Sequence, residues 1–416
     1  MMATQAEAHR ESDAERQGIK LALAFAISCF VIWGLAYGLL DVLNKHFQET
    51  LHVGKAESSL LQMAYFGAYL IMSVPAGMLM KRAGYKAGLV SGLVITALGA
   101  FLFIPSAGAE SFPLFVGSMF VLATGIVVLE TSADTYVNVL GDPAKASYRL
   151  NLAQSFNAVG VFIGPLIGGA FFFNPDVTAR LGGELTSVQI TYGIIGVLVL
   201  AYAFVLARVH LPEIRAAEDT LEQERGQPLP LSRHRHFVFG VATQALYIGA
   251  QVGVGAYFIN LVTETWDGLS SQQGAYLLSI AMFGYLIGRF VSTALLVRIP
   301  PRALLTAYGV FNTMLTVVVA MGIQKVSAIA LIGVFFFMST MFATIFTLGV
   351  KDLGSHTKSA ASIMVMSIGG GVLLPYPMGM IADHYGSPAA FWMPAVIFAI
   401  VALYGWKGAE QKLIAA

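Results

Sequence analysis

Three acidic residues lie inside strongly apolar stretches of the sequence, where charged side chains are rare. Asp41 follows an apolar run that begins at Leu21, and Glu130 and Asp134 lie in a run that begins near Phe112. A charge at the centre of a membrane helix costs about 2.5–3.5 kcal/mol, so such residues are functional candidates. Carboxyl groups at different depths suit proton transfer, because each can be neutral in apolar surroundings and ionised when wet. Buried acids that only hold helices together are the alternative, above all for Asp134.

Amide and aromatic side chains in the same apolar runs form a second group of candidates. Amides both donate and accept hydrogen bonds, which suits the hydroxyl groups of a sugar. Aromatic rings, including that of Tyr69, can cover the apolar face of a sugar ring. The candidates are Trp33, Tyr37, Gln154, Asn157, Tyr247 and Gln251. Hydrogen bonding between helices and packing are the alternative roles, but together these residues favour a small polyhydroxylated solute.

Arg289 is the cation that lies deep in an apolar run of the second half of the chain. It could pair with a carboxylate where two halves of the molecule meet, or it could fasten its helix to a neighbouring helix. The second role is slightly favoured, so Arg289 is predicted to be a structural or gating residue.

The sequence contains no pattern typical of an enzyme or of an ATP-driven pump. It has no Walker A sequence, and its single cysteine, Cys29, excludes an intrachain disulfide and a thiolate metal cluster. No histidine and cysteine residues have the spacing of metal ligands. We therefore expect a protein that is not an enzyme and that uses protons as the coupling ion, with no other cofactor.

The composition shows that membrane-spanning helices must position these residues. The chain has 416 residues, of which 57% are hydrophobic and 11% are charged, whereas soluble domains carry about 25% charged residues. A span needs about 20 apolar residues. The net charge of +1 gives no sign of nucleic acid or another strongly charged partner. Twelve candidate helices lie near 21–47, 57–80, 87–106, 112–139, 147–173, 187–210, 237–263, 272–297, 303–323, 327–350, 358–382 and 388–408.

The longest polar stretch between these helices divides the chain into two sets of six. This halving predicts an all-α membrane protein with two six-helix bundles, as in a transporter built from a repeat. Twelve spans without internal symmetry are the alternative. The predicted parts are a cytoplasmic tail (1–20), a first bundle (21–210), a cytoplasmic linker (211–236), a second bundle (237–408) and a cytoplasmic tail (409–416).

The distribution of Lys and Arg predicts the orientation in the membrane. With the N-terminus in the cytoplasm, most of the 24 Lys and Arg residues fall on the cytoplasmic side. The outer side then carries only Lys45, Lys55, Arg180 and Lys325. This bias predicts that both termini are cytoplasmic.

Glycine clusters inside two of the predicted spans indicate either bends or close helix packing. Bends at corresponding positions of two halves would mark a substrate pathway, whereas small residues also let helices approach closely. The clusters are Gly160, Gly164, Gly168 and Gly169 beside Pro165 in the fifth span, and Gly369, Gly370 and Gly371 beside Pro375 and Pro377 in the eleventh.

Several segments resemble those of a known transporter family. The segment GMLMKRAGYKAG, which contains Gly77, Lys81, Arg82 and Gly84, resembles the loop signature of the major facilitator superfamily. More specific segments resemble the fucose–proton symporter family within it. They are WGLAYGLLDVLNKHFQ (33–48), LETSADTYVNVLG (129–141), RLNLAQSFNAVG (149–160) and TIFTLGVKDLG (344–354).

This resemblance implies the major facilitator fold and proton-driven uptake of fucose, glucose, galactose or a related sugar. By position, Asp41 and Glu130 match the two carboxylates implicated in proton coupling in that family. Gln154 and Asn157 match polar sugar contacts, and Trp33 matches an aromatic residue near the sugar.

The sequence departs from the family pattern at three places. The family's Glu-Thr-Ala-Ala-Asn-Pro is replaced by a segment in which Asp134 adds a carboxylate and Thr135 replaces the proline. Leu40 replaces an asparagine, and Phe342-Ala343 replaces an aromatic-proline pair. The sugar and the proton stoichiometry are left open by these changes.

The function predicted from the sequence is proton-coupled uptake of a hexose or deoxyhexose by alternating access. Asp41, Glu130 and Asp134 are the proton-coupling candidates. The protein is predicted to work as a monomer in a bacterial inner membrane, with a sugar, protons and the lipid bilayer as its partners. A proton-coupled exporter of amphipathic compounds on the same fold is the alternative.

Overall fold

The computed structural model describes most of the chain. The described residues are 2–140, 146–209, 211–212, 231–353 and 357–410, without the side chains of 2–17, 81, 146–148, 151, 357–359 and 362. The side chain of Lys81, residues 213–230 of the predicted linker and residues 411–416 of the predicted C-terminal tail therefore lie outside the described residues.

Within the ranges that the structure describes, twelve helices are long and apolar enough to cross a membrane, as the sequence predicts. We number them as spans 1 to 12. Spans 1 to 6 are Gly18–Thr50, Lys55–Met80, Tyr85–Gly108, Phe112–Val139, Leu152–Phe172 and Glu184–Arg208. Spans 7 to 12 are Arg235–Ala256, Ser271–Leu295, Pro301–Ala320, Gln324–Gly349, Ile363–Tyr385 and Ser387–Gly408. The helix that contains span 1 begins at Met2, so residues 2–17 of the predicted tail belong to the same helix.

The two halves pack their helices in the same way. Spans 1 and 5, 2 and 4, and 3 and 6 are neighbours in the first half, and spans 7 and 11, 8 and 10, and 9 and 12 are neighbours in the second. Between the halves, span 2 packs on span 11 and span 5 packs on span 8. This is the two-bundle architecture that the sequence predicts.

The connections between spans lie on two faces. We call the face with residues 51–54 and the connections after spans 3, 5, 7, 9 and 11 the first-loop face. The opposite face carries the connection between spans 6 and 7, and we call it the linker face. Two short helices, Pro175–Leu181 and Phe258–Thr265, follow spans 5 and 7 on the first-loop face.

The helices of the second half are interrupted where the sequence predicts continuous ones. Span 7 ends at Ala256 rather than near 263, because Tyr257 leaves helical geometry before the helix Phe258–Thr265 begins. Span 10 consists of Gln324–Met338 and Met341–Gly349. The hydroxyl of Tyr257 donates to the carbonyls of Lys55 (3.0 Å) and Pro375 (2.7 Å), so tertiary contacts hold the first of these breaks.

The two glycine clusters have different roles. In span 11, Gly369–Gly371 lie in a 3₁₀ segment, Ser367–Val372, before a new helix begins at Pro375. Of the two alternatives, an interrupted helix therefore applies to span 11. Span 5 lies within a continuous helix, Ala146–Phe172, so close packing applies there. Its glycines allow close packing, because a Cβ at Gly164 would lie 2.7 Å from the Cα of Gly38 in span 1.

Candidate functional site

Glu130 lies in span 4 and receives a hydrogen bond from span 2. The hydroxyl of Tyr69 donates to a carboxylate oxygen of Glu130 at 2.6 Å. Tyr69 is 8% exposed, whereas Glu130 is half-buried. A hydrogen bond to an ionised group is stronger than one between neutral groups. Tyr69 therefore holds the Glu130 side chain in one position while leaving part of it accessible.

Asp134 lies one helical turn beyond Glu130 and close enough to interact with it electrostatically. The side chain of Gln154 in span 5 lies near the Asp134 carboxyl group. The structure thus places one predicted sugar contact against the additional carboxylate. Asn157 lies on the same helix as Gln154, and its amide nitrogen donates to the backbone carbonyl of Phe30 in span 1 at 3.3 Å. The Asn157 amide therefore also joins spans 1 and 5.

Aromatic side chains lie along one side of the Glu130 carboxyl group. Trp33 and Phe30 of span 1 have ring centroids 5.9 Å apart and line a small gap against Glu130. Tyr65 packs against Tyr69 with centroids 5.8 Å apart. A carboxylate beside half-buried aromatic and amide groups has the composition of a site for a polar solute with an apolar face.

The second half contributes tyrosine, amide and arginine side chains. Tyr37 of span 1 lies next to Gln251 of span 7 and Tyr285 of span 8. The guanidinium carbon of Arg289 lies 5.7 Å from the centroid of the Tyr285 ring. In the described part of the chain no carboxylate pairs with Arg289. The guanidinium group of Arg289 thus contacts an aromatic ring of its own helix, and it lies close enough to Tyr247 of span 7 to interact with it electrostatically.

Tyr247 is fully buried, and its hydroxyl donates to the carbonyl of Met338 at 2.8 Å. That carbonyl lies at the break of span 10, where it has lost its helical partner. The hydroxyl of Tyr247 is thus engaged by the protein itself. Gln251, one turn further along span 7, is only half-buried.

Asp41 is 1% exposed and lies apart from the other two carboxylates. It is about 12 Å nearer the first-loop face than Trp33, since a helix rises 1.5 Å per residue. Its Oδ1 faces the amide nitrogen of Gln62 at 3.5 Å. Its Oδ2 faces Gly255 of span 7, where a Cβ would lie only 2.5 Å away. Glycine at this position lets the Asp41 carboxylate approach the second half.

The loop between spans 2 and 3 is built on one glycine. Gly84 lies between the helices of spans 2 and 3 and has a φ of 85°. This left-handed conformation favours glycine. Gly77 faces open space and Arg82 is exposed.

The polar contacts between the halves include a cluster at the first-loop face. Lys55 forms an ion pair with Glu264 at 2.6 Å. The carboxylate of Asp383 accepts from the backbone nitrogens of Lys55 (2.8 Å) and Ala56 (3.0 Å). Asp383 in span 11 therefore caps the N-terminus of span 2, which lies in the other half. Gly54, the residue at the N-cap position, supplies no side chain for this role.

The close contacts between the halves continue to the middle of the membrane. Ser279 of span 8 donates to the carbonyl of Phe162 in span 5 at 3.0 Å. Leu70 of span 2 contacts Gly369 of span 11 and is nevertheless 47% exposed. Glu130 is half-buried and bonds to Tyr69, which precedes Leu70 in span 2. Contacts between the halves thus close the first-loop face as far as the depth of the site.

Sequence reasoning did not place Gln62 or Asn44 at the site, and it included Tyr69 among the candidate aromatics without pairing it with Glu130. Tyr69 is one of several aromatic residues in apolar runs, and nothing in its spacing distinguishes it from Tyr65. Asn44 is 0% exposed, as is Gln62. Their polarity within a span was the available signal, but their partners depend on helix packing.

Comparisons with known proteins agree with this architecture. Residues 21–374 match the Major Facilitator Superfamily. The L-fucose-proton symporter of Escherichia coli (strain K12) is 34% identical over 423 residues, covering 96% of each chain. The glucose/galactose transporter of Brucella abortus biovar 1 (strain 9-941) is 32% identical over 405 residues, covering 97% of each chain.

A solved structure extends the likeness to three dimensions. The crystal structure of FucP, a Major Facilitator Superfamily transporter, in the outward conformation has a TM-score of 0.68 and 33% identity. The match covers 94% of this chain and 100% of the FucP chain. A second crystal structure describes FucP as the E. coli fucose:proton symporter. This chain is therefore a multi-pass membrane protein that belongs to the Major Facilitator Superfamily and, within it, to the family of the fucose–proton symporter.

Proposed function

We propose that this protein takes up a hexose or deoxyhexose together with protons by alternating access. The observation that carries the proposal is the Glu130 carboxylate, held by Tyr69 beside Trp33 in the middle of the membrane. A carboxylate in this position can accept a proton and also hydrogen-bond a sugar hydroxyl. The relatives named L-fucose-proton symporter and glucose/galactose transporter support the same chemistry.

In the proposed cycle, Asp41 takes up a proton from outside and shares it with Glu130. Glu130 also orients the sugar. Neutralising Glu130 removes a charge that would be costly in the apolar membrane interior while the two halves reorient around the site. Release of the sugar to the inside is followed by loss of the proton. Asp134 lies one helical turn from Glu130, near Gln154, and provides a further proton position on the inner side.

We place the linker face in the cytoplasm of a bacterial cell, with both termini inside and the protein in the inner membrane. The excess of Lys and Arg in the connections of the linker face supports this orientation. The closed first-loop face is then the outer face, and the structure represents an inward-facing form. One chain supplies all twelve spans, so we propose that the monomer is the working unit.

The protein is proposed to act as a carrier rather than an enzyme, with protons as the coupling ion and no other cofactor. The sugar, protons and lipid bilayer are its proposed partners, and nucleic acid is not one of them. An exporter of amphipathic compounds would need an apolar cavity, and the amides of Gln154, Asn157 and Gln251 do not fit that chemistry.

The experiment that tests the proposal is proton flux in proteoliposomes. An external pH electrode records the medium while hexoses, deoxyhexoses and N-acetylhexosamines are added one at a time. We expect alkalinisation of the medium with a sugar that is transported. Empty liposomes and a proton ionophore are the controls.

No response to any sugar, from protein shown to be folded, would contradict proton–sugar symport. A screen of cells expressing the protein against amphipathic toxins then tests the exporter. Increased resistance in that screen, without sugar-dependent proton flux, would replace the proposed function by its alternative.

A further inference from the structure

Four amide side chains, three of them buried and that of Gln48 half-buried, form a continuous hydrogen-bonded chain between the two halves. Asn260 of the second half donates to Gln48 Oε1 at 2.5 Å, and Gln48 donates to Asn44 Oδ1 at 2.6 Å. Asn44 donates to Gln62 Oε1 at 2.8 Å, and Gln62 donates to Asp41 Oδ1 at 3.5 Å. We call Asn44, Gln48, Gln62 and Asn260 the amide chain.

The hydrogen bonds of the amide chain all point in one direction. Each amide nitrogen donates toward Asp41, and the side-chain oxygens of Gln48, Asn44 and Gln62 each accept from the residue nearer Asn260. An ionised carboxylate can only accept hydrogen bonds, so an ionised Asp41 sets this direction. The amide chain lies between the first-loop face and the carboxylate, and one of its members comes from the second half.

Both ends of the amide chain carry a buried oxygen atom that has no partner among the described residues. These atoms are Asp41 Oδ2 and Asn260 Oδ1. Buried polar atoms without partners are uncommon and need an explanation. If the direction of the hydrogen bonds were reversed, Gln48 would donate to Asn260 Oδ1 and this atom would have a partner.

Reversal requires a donor at the Asp41 end. A protonated Asp41 can donate to Gln62 Oε1, after which each amide donates away from Asp41 instead of toward it. The other groups that face Asp41 do not oppose this change, since Gly255 of span 7 has no side chain and Tyr37 of span 1 is an uncharged phenol. The contact between Gln48 and Asn260 is present in both directions.

We propose that the amide chain is a reversible hydrogen-bonded link that holds the first-loop face closed whether Asp41 is ionised or neutral. The proposal deepens the proposed function and rests on it, because a symporter closes its outer face with the proton bound and also after its release. A closing contact that required one charge state of Asp41 would block one of these two steps. Gln62 is then a positioning residue for Asp41, and Asn260 is the contact in the other half.

The test measures the distance between the outer ends of the two halves. Spin labels are attached at Glu57→Cys and Asp267→Cys in a Cys29→Ala background, which leaves no other cysteine. Both positions are exposed on the first-loop face, and they lie in opposite halves. Pulsed electron resonance gives the ratio of short (closed) to long (open) distances in the purified full-length protein, without any sugar.

Asn260→Ala should lower the closed-to-open ratio about fivefold, which is the effect of losing one net buried hydrogen bond. Gln62→Leu should lower the ratio in the same direction, although Gln62 hydrogen-bonds only within the first half. Thr263→Ala is the matched control, because Thr263 lies on the same short helix as Asn260 and bonds only to backbone carbonyls of that helix. It should leave the ratio unchanged.

Asp41→Asn tests the reversible part of the proposal. Its amide can either accept from or donate to Gln62, so the ratio should stay within about twofold of the parent value. A shift as large as that of Asn260→Ala would overturn the proposal, as would an unchanged ratio in both Asn260→Ala and Gln62→Leu. A shift in Asn260→Ala alone would also overturn it, since the contact would then act without the chain.

Ser58→Ala provides a milder variant if Gln62→Leu does not fold. It removes the Ser58 hydroxyl, which accepts from Gln48 Nε2 at 2.9 Å and lies 2.8 Å from Asn44 Oδ1, and should shift the ratio in the same direction. The readout needs neither sugar nor a proton gradient. Absence of transport would therefore contradict the proposed function while leaving this distance test valid.

Discussion

Glu130 is the residue whose charge should matter most for proton coupling. Substituting Glu130→Gln preserves the shape of the side chain and its ability to accept a hydrogen bond from Tyr69, but removes the proton exchange. We expect sugar accumulation driven by a pH gradient to be abolished, while exchange of external for internal sugar continues. Radiolabelled sugar in proteoliposomes measures both activities in one preparation. Equal loss of accumulation and exchange would show that Glu130 serves binding or folding rather than coupling.

The hydroxyl of Tyr69 should contribute to transport through its hydrogen bond to Glu130. A hydrogen bond to a charged group is worth about 1.5–3 kcal/mol, so Tyr69→Phe should lower kcat/KM for uptake roughly ten- to hundredfold. Tyr65→Phe is the matched control, because the buried Tyr65 hydroxyl has no hydrogen-bond partner among the described residues. Initial uptake rates over a range of sugar concentrations give kcat/KM for each variant. Similar losses in the two variants would contradict a specific role for the 2.6 Å bond.

At the scale of elements, the contact between spans 1 and 5 depends on small residues. A Cβ at Gly164 would lie 2.6 Å from the carbonyl carbon of Gly38, so Gly164→Ala must force the two helices apart. We expect a loss of about 1–3 kcal/mol in stability, as for other overpacked sites. The melting temperature of the purified protein in detergent measures this loss.

Gly284 in span 8 is the control for this substitution. No atom lies within 4 Å of a Cβ placed there, so Gly284→Ala should leave stability unchanged or raise it by about 0.4–1 kcal/mol. Equal effects of the two substitutions would mean that helix propensity, rather than the approach of span 5 to span 1, determines the result.

The spans were predictable as elements because the tendency of an apolar run to cross a membrane is local. All twelve appear where hydropathy places them. The interruptions of spans 7 and 10 were not predicted. Gly253 and Gly255 precede the break of span 7, but similar glycines in span 5 lie in a continuous helix, so glycine alone does not mark a break. Neither proline nor glycine lies at the break of span 10. The hydroxyls of Tyr257 and Tyr247 bond to carbonyls distant in sequence, and such contacts exist only after the helices have packed.

For the whole molecule, Asp383 links the halves by capping a helix that belongs to the opposite half. Asp383→Ala removes both hydrogen bonds to the N-terminus of span 2 and should cost the closed form about 0.5–2 kcal/mol, the usual contribution of an N-cap. The spin-label distance between positions 57 and 267 should shift toward the open form. Asp176→Ala, an exposed carboxylate on the same face, is the control and should have no effect. An unchanged distance in Asp383→Ala would show that the cap does not hold the halves together.

The sequence by itself determined that the protein has twelve spans, that carboxylates lie within them and that it resembles a family of sugar–proton symporters. Each of these follows from residue type and order, because apolar length and the cost of burying a charge are local properties. Only the tertiary structure decided the partners of those carboxylates. Tyr69 could be assigned to Glu130, and Gln62 to Asp41, only once helices distant in sequence were side by side. The sequence also did not determine which face is closed, because a carrier must adopt two packings of one sequence that differ little in free energy.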